Sequence, residues 1–158
     1  MFKHLSKLSH HAAWRRQLEL LLDSTGEGIY GIDLKGRCVF INKAGAEMLG
    51  YSADEVLGRN MHYLMHHSYA NNDLMPVCEC HIFRAFQENK GCRVDNEVLW
   101  RRDGTCFHAE YASYPIFEEQ VVVGAVVTFN DITERVEAQN IRAAAQAELE
   151  RRVIERTA

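Results

Sequence analysis

The order of apolar and polar positions divides the chain into a helical start, two short strands, a run of short helices, three longer strands and a helical end. Trp14, Leu18, Leu21 and Leu22 fall at i, i+4, i+7 and i+8, one stripe on a helix, and Gly26 and Gly28 stand beyond it as stops. Ile29, Tyr30, Ile32 and Leu34 then read as a strand, Lys35-Gly36 as a tight turn, and Cys38-Val39-Phe40-Ile41 as the hairpin partner. Asn42 is placed to cap a short helix holding Ala44, Ala46, Met48 and Leu49, which Gly50 ends. Ser52-Ala53-Asp54-Glu55 has the form of a capping box for one more turn, closed by Gly58.

From Asn60 to Val77 the periodicity is lost, and the segment, with His62, His66, His67 and Pro76, reads as a turn of helix followed by loop. Ile82, Phe83 and Phe86 restore a helical face between Cys80 and Gln87, with Gly91 as its end. Cys92, Val94, Val98 and Trp100 alternate with Arg93, Asp95, Glu97 and Arg101, which predicts a strand with the first set buried and the second wet. Arg102-Asp103-Gly104 is a turn signal, Phe107, Ala109 and Tyr111 alternate in the next strand, and Val121 to Phe129 reads as a mostly buried third. The expectation is an α+β domain whose five strands come as two, then helices, then three.

Asp131-Ile132-Thr133-Glu134 caps a further helix predicted to run to Ala158, rich in Ala, Glu, Arg and Gln and free of Gly and Pro. Ile141, Ala145, Leu149 and Val153 form a thin apolar stripe at steps of four. That pattern suits one strand of a parallel helical pair or a solvated helix, and the sequence leaves both open.

A length of 158 residues, 47% hydrophobic and 25% charged, suits one globular domain. The net charge of -4 gives no overall basic field, so direct nucleic-acid binding is not expected. No apolar run reaches the roughly 20 residues of a membrane span, and Met1-Phe2-Lys3-His4-Leu5 lacks a signal peptide's apolar stretch, so a cytoplasmic location is expected. The five cysteines, Cys38, Cys78, Cys80, Cys92 and Cys106, are an odd number in a chain large enough to fold without staples, which favours free thiols. The chain lacks a P-loop, G-x-S-x-G, H-E-x-x-H and G-x-G-x-x-G, so nothing supports an enzyme.

Four stretches in order resemble the PAS family, over roughly Leu20 to Arg135. They are Gly28-Ile29-Tyr30-Gly31-Ile32-Asp33-Leu34-Lys35-Gly36 with Phe40-Ile41-Asn42; Leu49-Gly50-Tyr51-Ser52 with Glu55-Val56-Leu57-Gly58; Arg102-Asp103-Gly104; and Asp131-Ile132-Thr133-Glu134-Arg135. The resemblance implies a PAS fold, a five-stranded antiparallel sheet with short helices on one face. It divides the chain into an N-terminal helical extension at 1–22, a PAS sensor domain at 23–135, and a C-terminal signalling helix at 136–158. It further implies a sensory input role in signal transduction, as in two-component systems. A homodimer is expected, with a covalently linked output domain of the histidine kinase or diguanylate cyclase type. A dimerisation or interaction module with no cofactor is the alternative.

The densest cluster of metal-binding side chains is His62, His66, His67, Cys78, Cys80 and His81. Imidazole and thiolate together bind zinc, iron or heme, but Cys78-Glu79-Cys80-His81 has neither the spacing of a covalent heme site nor that of a zinc knuckle. His66-His67, Cys80-His81-Ile82-Phe83-Arg84 and the strand from Val94 to Arg101 resemble a PAS subgroup that senses diatomic gases or redox state through heme b. That resemblance implies iron ligated by His67, or failing that His66, with Cys92 opposite. The slot would be lined by Phe40, Phe83, Phe86, Trp100, Phe107 and Val126. No ligand, another small ligand, or FAD are the alternatives, and structural thiols are the default for Cys38, Cys78 and Cys106.

If the N-terminal stripe is a dimer seam, Leu18→Glu with Leu21→Glu shifts the chain toward monomer in light scattering. An unchanged mass rules that seam out.

Overall fold

A computed structural model describes residues 2–157, with side chains described from His10 onward. Helix α1 (Phe2–Asp23) leads into the hairpin β1 (Gly28–Asp33) and β2 (Cys38–Ile41). Three short helices follow, α2 (Lys43–Leu49), α3 (Ala53–Val56) and α4 (Met61–Met65). A 3-10 turn at Val77–Glu79 precedes α5 (His81–Glu88). Strands β3 (Cys92–Trp100), β4 (Cys106–Glu118) and β5 (Val121–Asp131) complete the sheet, and α6 (Thr133–Thr157) extends from it. The five strands are antiparallel in the order β2-β1-β5-β4-β3, so β5, the last strand in the chain, sits at the centre.

The expected α+β architecture is therefore present, with local differences. Helix α1 begins well before Trp14. Leu34 lies outside β1 in the turn, where Asp33 Oδ1 accepts hydrogen bonds from Lys35 N and Arg37 N, and its side chain is exposed. Along α6 no side chain is buried; Ile141, Leu149 and Val153 stand in solvent.

The sheet has one covered face. Cross-strand pairing puts Ile41, Tyr30, Val127, Ser113 and Cys92 in one row on it, and Gly28, Phe129, Tyr111 and Val94 in the next. Leu49, Val56, Met61, Leu64, Met65 and Ile82 of the helices pack on this face as the core. The alternate row, Phe40, Gly31, Val126 and Tyr114, lies on the opposite face. Phe40 and Val126, expected to line a cofactor slot, are thus on the wrong side of the sheet, because strand parity places them one residue out of phase with Tyr30 and Val127.

A second parity effect comes from a bulge. Val94 pairs with Tyr111, but Glu97 pairs with Ala109, so three steps on β3 oppose two on β4. The bulge inverts the alternation beyond it. Glu97 and Leu99 join Cys92 and Val94 on the covered face, whereas Val98 and Trp100 turn away from it. The expectation of a shared face for Cys92, Val94, Val98 and Trp100, with Glu97 wet, is corrected on this ground.

Asn42 locks the hairpin to α1 and α2. Its Oδ1 accepts hydrogen bonds from Ile29 N at 2.8 Å and Gly45 N at 3.0 Å, and its amide donates to the carbonyls of Leu22 and Glu27, both at 2.9 Å. The side chain is 1% exposed, so no water replaces these bonds when it is removed. Asn42→Ala is expected to lower unfolding stability by about 2–4 kcal/mol, from a lost cap plus unsatisfied buried groups. Denaturant unfolding measures it, and a change below about 1 kcal/mol would contradict this account.

Candidate functional site

Asn60 starts α4 by accepting hydrogen bonds at its Oδ1 from His62 N at 3.0 Å and Tyr63 N at 3.3 Å. The helix is short, but one turn is enough to place His62 and His66, at i and i+4, on a single face above the sheet. Cys80 reaches the same point from the opposite direction, at the end of the 3-10 turn and the start of α5. The three side chains each offer a ligand atom within 4.8 Å of the others.

His66 is fully buried, and both its ring nitrogens are engaged. Nδ1 lies 3.2 Å from Cys80 Sγ, and Nε2 lies 2.6 Å from Glu97 Oε2. Glu97 also accepts from Tyr111 Oη at 2.7 Å and meets His81 Nδ1 at 3.0 Å through its other oxygen. The Tyr111 ring packs edge-on against His66 with centroids 5.5 Å apart. His62 turns its Nε2 to the carbonyl of Met75 at 3.0 Å, while its Nδ1 is buried with no hydrogen-bond partner.

The electrostatics follow from these contacts. Burial favours neutral His66, but hydrogen bonds to Cys80 and Glu97 and their charges outweigh it and raise its pKa to about 9. Burial likewise favours the Cys80 thiol, yet the neighbouring His62 ring, the hydrogen bond from His66 and the His66 charge lower it to about 6. Glu97, despite burial, is held below the ordinary carboxylate range by its bonds to His66 and Tyr111. These directions favour a thiolate against an imidazolium, backed by a carboxylate. Burial pushes Cys38 to about 11 and raises Cys92 as well, so neither resembles Cys80.

A cavity of about 100 Å³ opens beside the centre, lined by His62, His66, Cys80, Tyr30, Phe83 and Phe86 among others. Phe83 and Phe86 are where a slot was expected. The remaining expected positions do not converge on it. His67 stacks on Trp100, with ring centroids 5.5 Å apart, and its Nδ1 lies 2.7 Å from Ser68 Oγ. Burial first, then the charges of His62 and His66, hold its pKa below the ordinary imidazole value. Trp100 donates from its indole to the Ser68 carbonyl at 2.9 Å. Phe107 is buried in the core beneath the Arg101 guanidinium, which sits 4.5 Å above its ring. Cys92, on the covered face, directs its Sγ to the carbonyl of His81 at 3.6 Å.

These residues do not form a seat for heme b as they stand. A drug-sized ligand fills roughly 300–1,000 Å³, several times this cavity, and an FAD needs more still. His66 is committed to Cys80 and Glu97, and His67 and Cys92 face neither each other nor the cavity. The sequence reading placed Cys80 and His62 in its polar cluster but missed them as site residues, and it placed Glu97 on the wet face. The i, i+4 spacing of His62 and His66 was the available signal.

No helix among the described residues is long and apolar enough to cross a membrane. A PAS domain family model matches residues 26–134. The chain is 27% identical over 121 residues to the probable diguanylate cyclase DgcE of Escherichia coli, covering 76% of the chain and 11% of that protein. It is 29% identical over 150 residues to two-component system protein A of Emericella nidulans, covering 90% of the chain and 20% of that protein. It therefore spans a small part of these relatives. Among solved structures, the PAS domain of a protein from Colwellia psychrerythraea superposes with a TM-score of 0.63 at 22% identity, covering 75% of this chain and 97% of that one.

The Cys80 value fixes a titration. Thiolate forms as pH rises through a thiol's pKa, so ultraviolet thiolate absorbance should rise in a step centred near pH 6 that is absent from Cys80→Ser. A wild-type curve with no step below pH 8 would overturn the thiolate assignment.

Proposed function

Since the chain belongs to the PAS domain family, a family of sensory modules whose catalytic partners lie in other domains, we propose that it receives a signal at the His62–His66–Cys80 centre and passes it to α6. The carrying observation is a cross-strand row. Glu97, bonded to His66, pairs with Ala109 on β4, and Ala109 pairs with Asp131 at the end of β5. Asp131 Oδ1 accepts a hydrogen bond from Thr133 N at 2.9 Å and so caps α6, while its other oxygen meets Arg101 at 3.0 Å. Ile132 N donates to the His108 carbonyl at 2.8 Å, which ties the helix start to β4.

A change at the buried centre that alters the hold on Glu97 thus acts one row from the helix cap. Two arrangements of such a hydrogen-bonded row, differing by a few kcal/mol, are sufficient to bias the helix. The input suited to a cavity of about 100 Å³ is a small molecule, an ion or a reagent for the thiolate. The output is a domain of the diguanylate cyclase or two-component kind, in line with the relatives' names, and the working unit is a homodimer with α1 and α6 as its helical arms.

Hydrogen exchange tests the connection. Glu97→Ala, checked for native circular dichroism, should raise exchange several-fold at the first amides of α6, including Val136, which donates to the Ile132 carbonyl, while β1 is unchanged. Unchanged protection at the start of α6 would sink the proposed route. Expression with heme supplied tests the rival reading: heme uptake with a spectrum altered by His66→Ala, His67→Ala or Cys92→Ser would replace this centre with heme b as the receptor for a gas or redox signal.

A further inference from the structure

We propose that His62, His66 and Cys80 bind one divalent transition-metal ion of the zinc class, through the two imidazole Nδ1 atoms and the Cys80 sulfur. The inference deepens the reading of this centre as the signal-receiving site and rests on that reading for its biological meaning. Two imidazoles and one thiolate are a borderline-soft set that suits zinc and its first-row neighbours. Their ligand atoms already lie within 4.8 Å of one another, and His66 Nδ1 is 3.2 Å from Cys80 Sγ. Bonds of about 2.0–2.3 Å arranged tetrahedrally set such atoms about 3.4–3.6 Å apart, so side-chain adjustment alone closes the site.

The surroundings of the two histidines are what separates this cluster from a chance meeting. A metal-ligating histidine commonly donates its outer N–H to a carboxylate or a backbone carbonyl, which fixes the ring and directs the inner nitrogen at the ion. Both kinds of partner are present. His66 presents Nε2 to Glu97 Oε2 at 2.6 Å, and His62 presents Nε2 to the Met75 carbonyl at 3.0 Å. With its outer nitrogen so used, His62 has its Nδ1 buried and unpartnered, a lone pair with nothing to accept. Buried polar atoms are rarely left in that state, and an ion at the centre supplies the missing partner. At His66 the ion takes the place of the proton shared between Nδ1 and Cys80.

Three protein ligands leave a fourth position, and the cavity lined by Tyr30, Phe83 and Phe86 lies beside it. Its volume of about 100 Å³ holds water or one small exogenous donor. An open fourth position distinguishes a reactive or sensing site from the closed four-ligand sites that serve structure. The sensed quantity is then the metal ion itself or a small donor that displaces water from it.

The test uses the untagged chain, stripped with a chelator and titrated with cobalt(II) as a coloured stand-in for zinc. The expected result is uptake of one ion per chain, with the absorption of a tetrahedral cobalt site and a sulfur-to-cobalt charge-transfer band, both lost on adding zinc. Cys80→Ser should remove the charge-transfer band, and Glu97→Gln should weaken binding by about 10–100-fold. Cys78→Ser and Cys106→Ser should leave both unchanged. X-ray absorption at the zinc edge of the wild type, which needs no variant to fold, should show one sulfur and two imidazoles. No stoichiometric uptake by folded wild type, a band that survives Cys80→Ser, or a zinc edge with a different ligand set would each overturn the proposal. Because the exchange response of α6 to Glu97→Ala is measured without metal, its persistence alongside failed metal uptake leaves the signalling route standing and removes only the ion.

Discussion

One extra residue in β3 decides which side chains meet beneath the helices. Without the bulge between Val94 and Glu97, the strict alternation of a strand would put Glu97 on the face away from the helices, with Arg93. With it, a carboxylate enters the covered face at the height of α4 and α5, and it is only 13% exposed there. A charge in that position needs partners, since removing one side of a buried pair costs about 3–5 kcal/mol. Glu97 has three: His66, His81 and Tyr111. His66 in turn holds its imidazole away from water because each ring nitrogen has a charged or polarisable neighbour. The acidity of Cys80 then follows from the two imidazoles around it, with the Phe83 N–H in the first turn of α5 adding to it.

The order of this dependence explains which parts of the molecule were legible in the sequence. The Asn42 cap on Gly45, Gly50, the Ser52–Glu55 box and the Asp131–Glu134 cap act within a few residues, and each appears where local chemistry predicted it, whereas the bonds from Asn42 to Leu22, Glu27 and Ile29 come only with the fold. The five strands and their order of appearance were legible for the same reason, because each is announced by its own alternation and by the turn after it. The bulge was not. Residues 92–101 alternate acceptably as an unbroken strand, and the two-against-one match that breaks the alternation exists only in pairing with β4. A single misassigned step therefore inverted Val98, Trp100 and Glu97 together.

Other misplacements at the site have equally plain causes. Phe40 and Val126 are apolar and sit in strands, which made them look like pocket wall. They flank Gly31 on the far face instead, a row that the covered face cannot share. The His66-His67 pair was legible as chemistry but not as direction. The chain leaves α4 at His66 with its φ at -128°, and the next residue swings out over the edge of the sheet onto Trp100. Adjacent histidines thus end in different environments, one sealed beneath the helices with a raised pKa and one half-buried with a lowered one.

The same geometry limits how a signal can leave the centre. Helix α6 buries none of its own side chains, so its position is set by its first turn and by the strands that hold that turn. Those holds are few: the Asp131 cap, the Ile132 and Thr133 bonds to His108 of β4, and Arg135 near Glu110, which Arg93 of β3 also meets at 2.8 Å. Two of these reach back to β3, one through the row from Glu97 to Asp131 and one through Arg93 and Glu110. Arg93 and Glu97 stand on either side of the bulge, on opposite faces of the strand. On the proposed route, a shift of β3 that follows a new ligand at His66 reaches both holds at once.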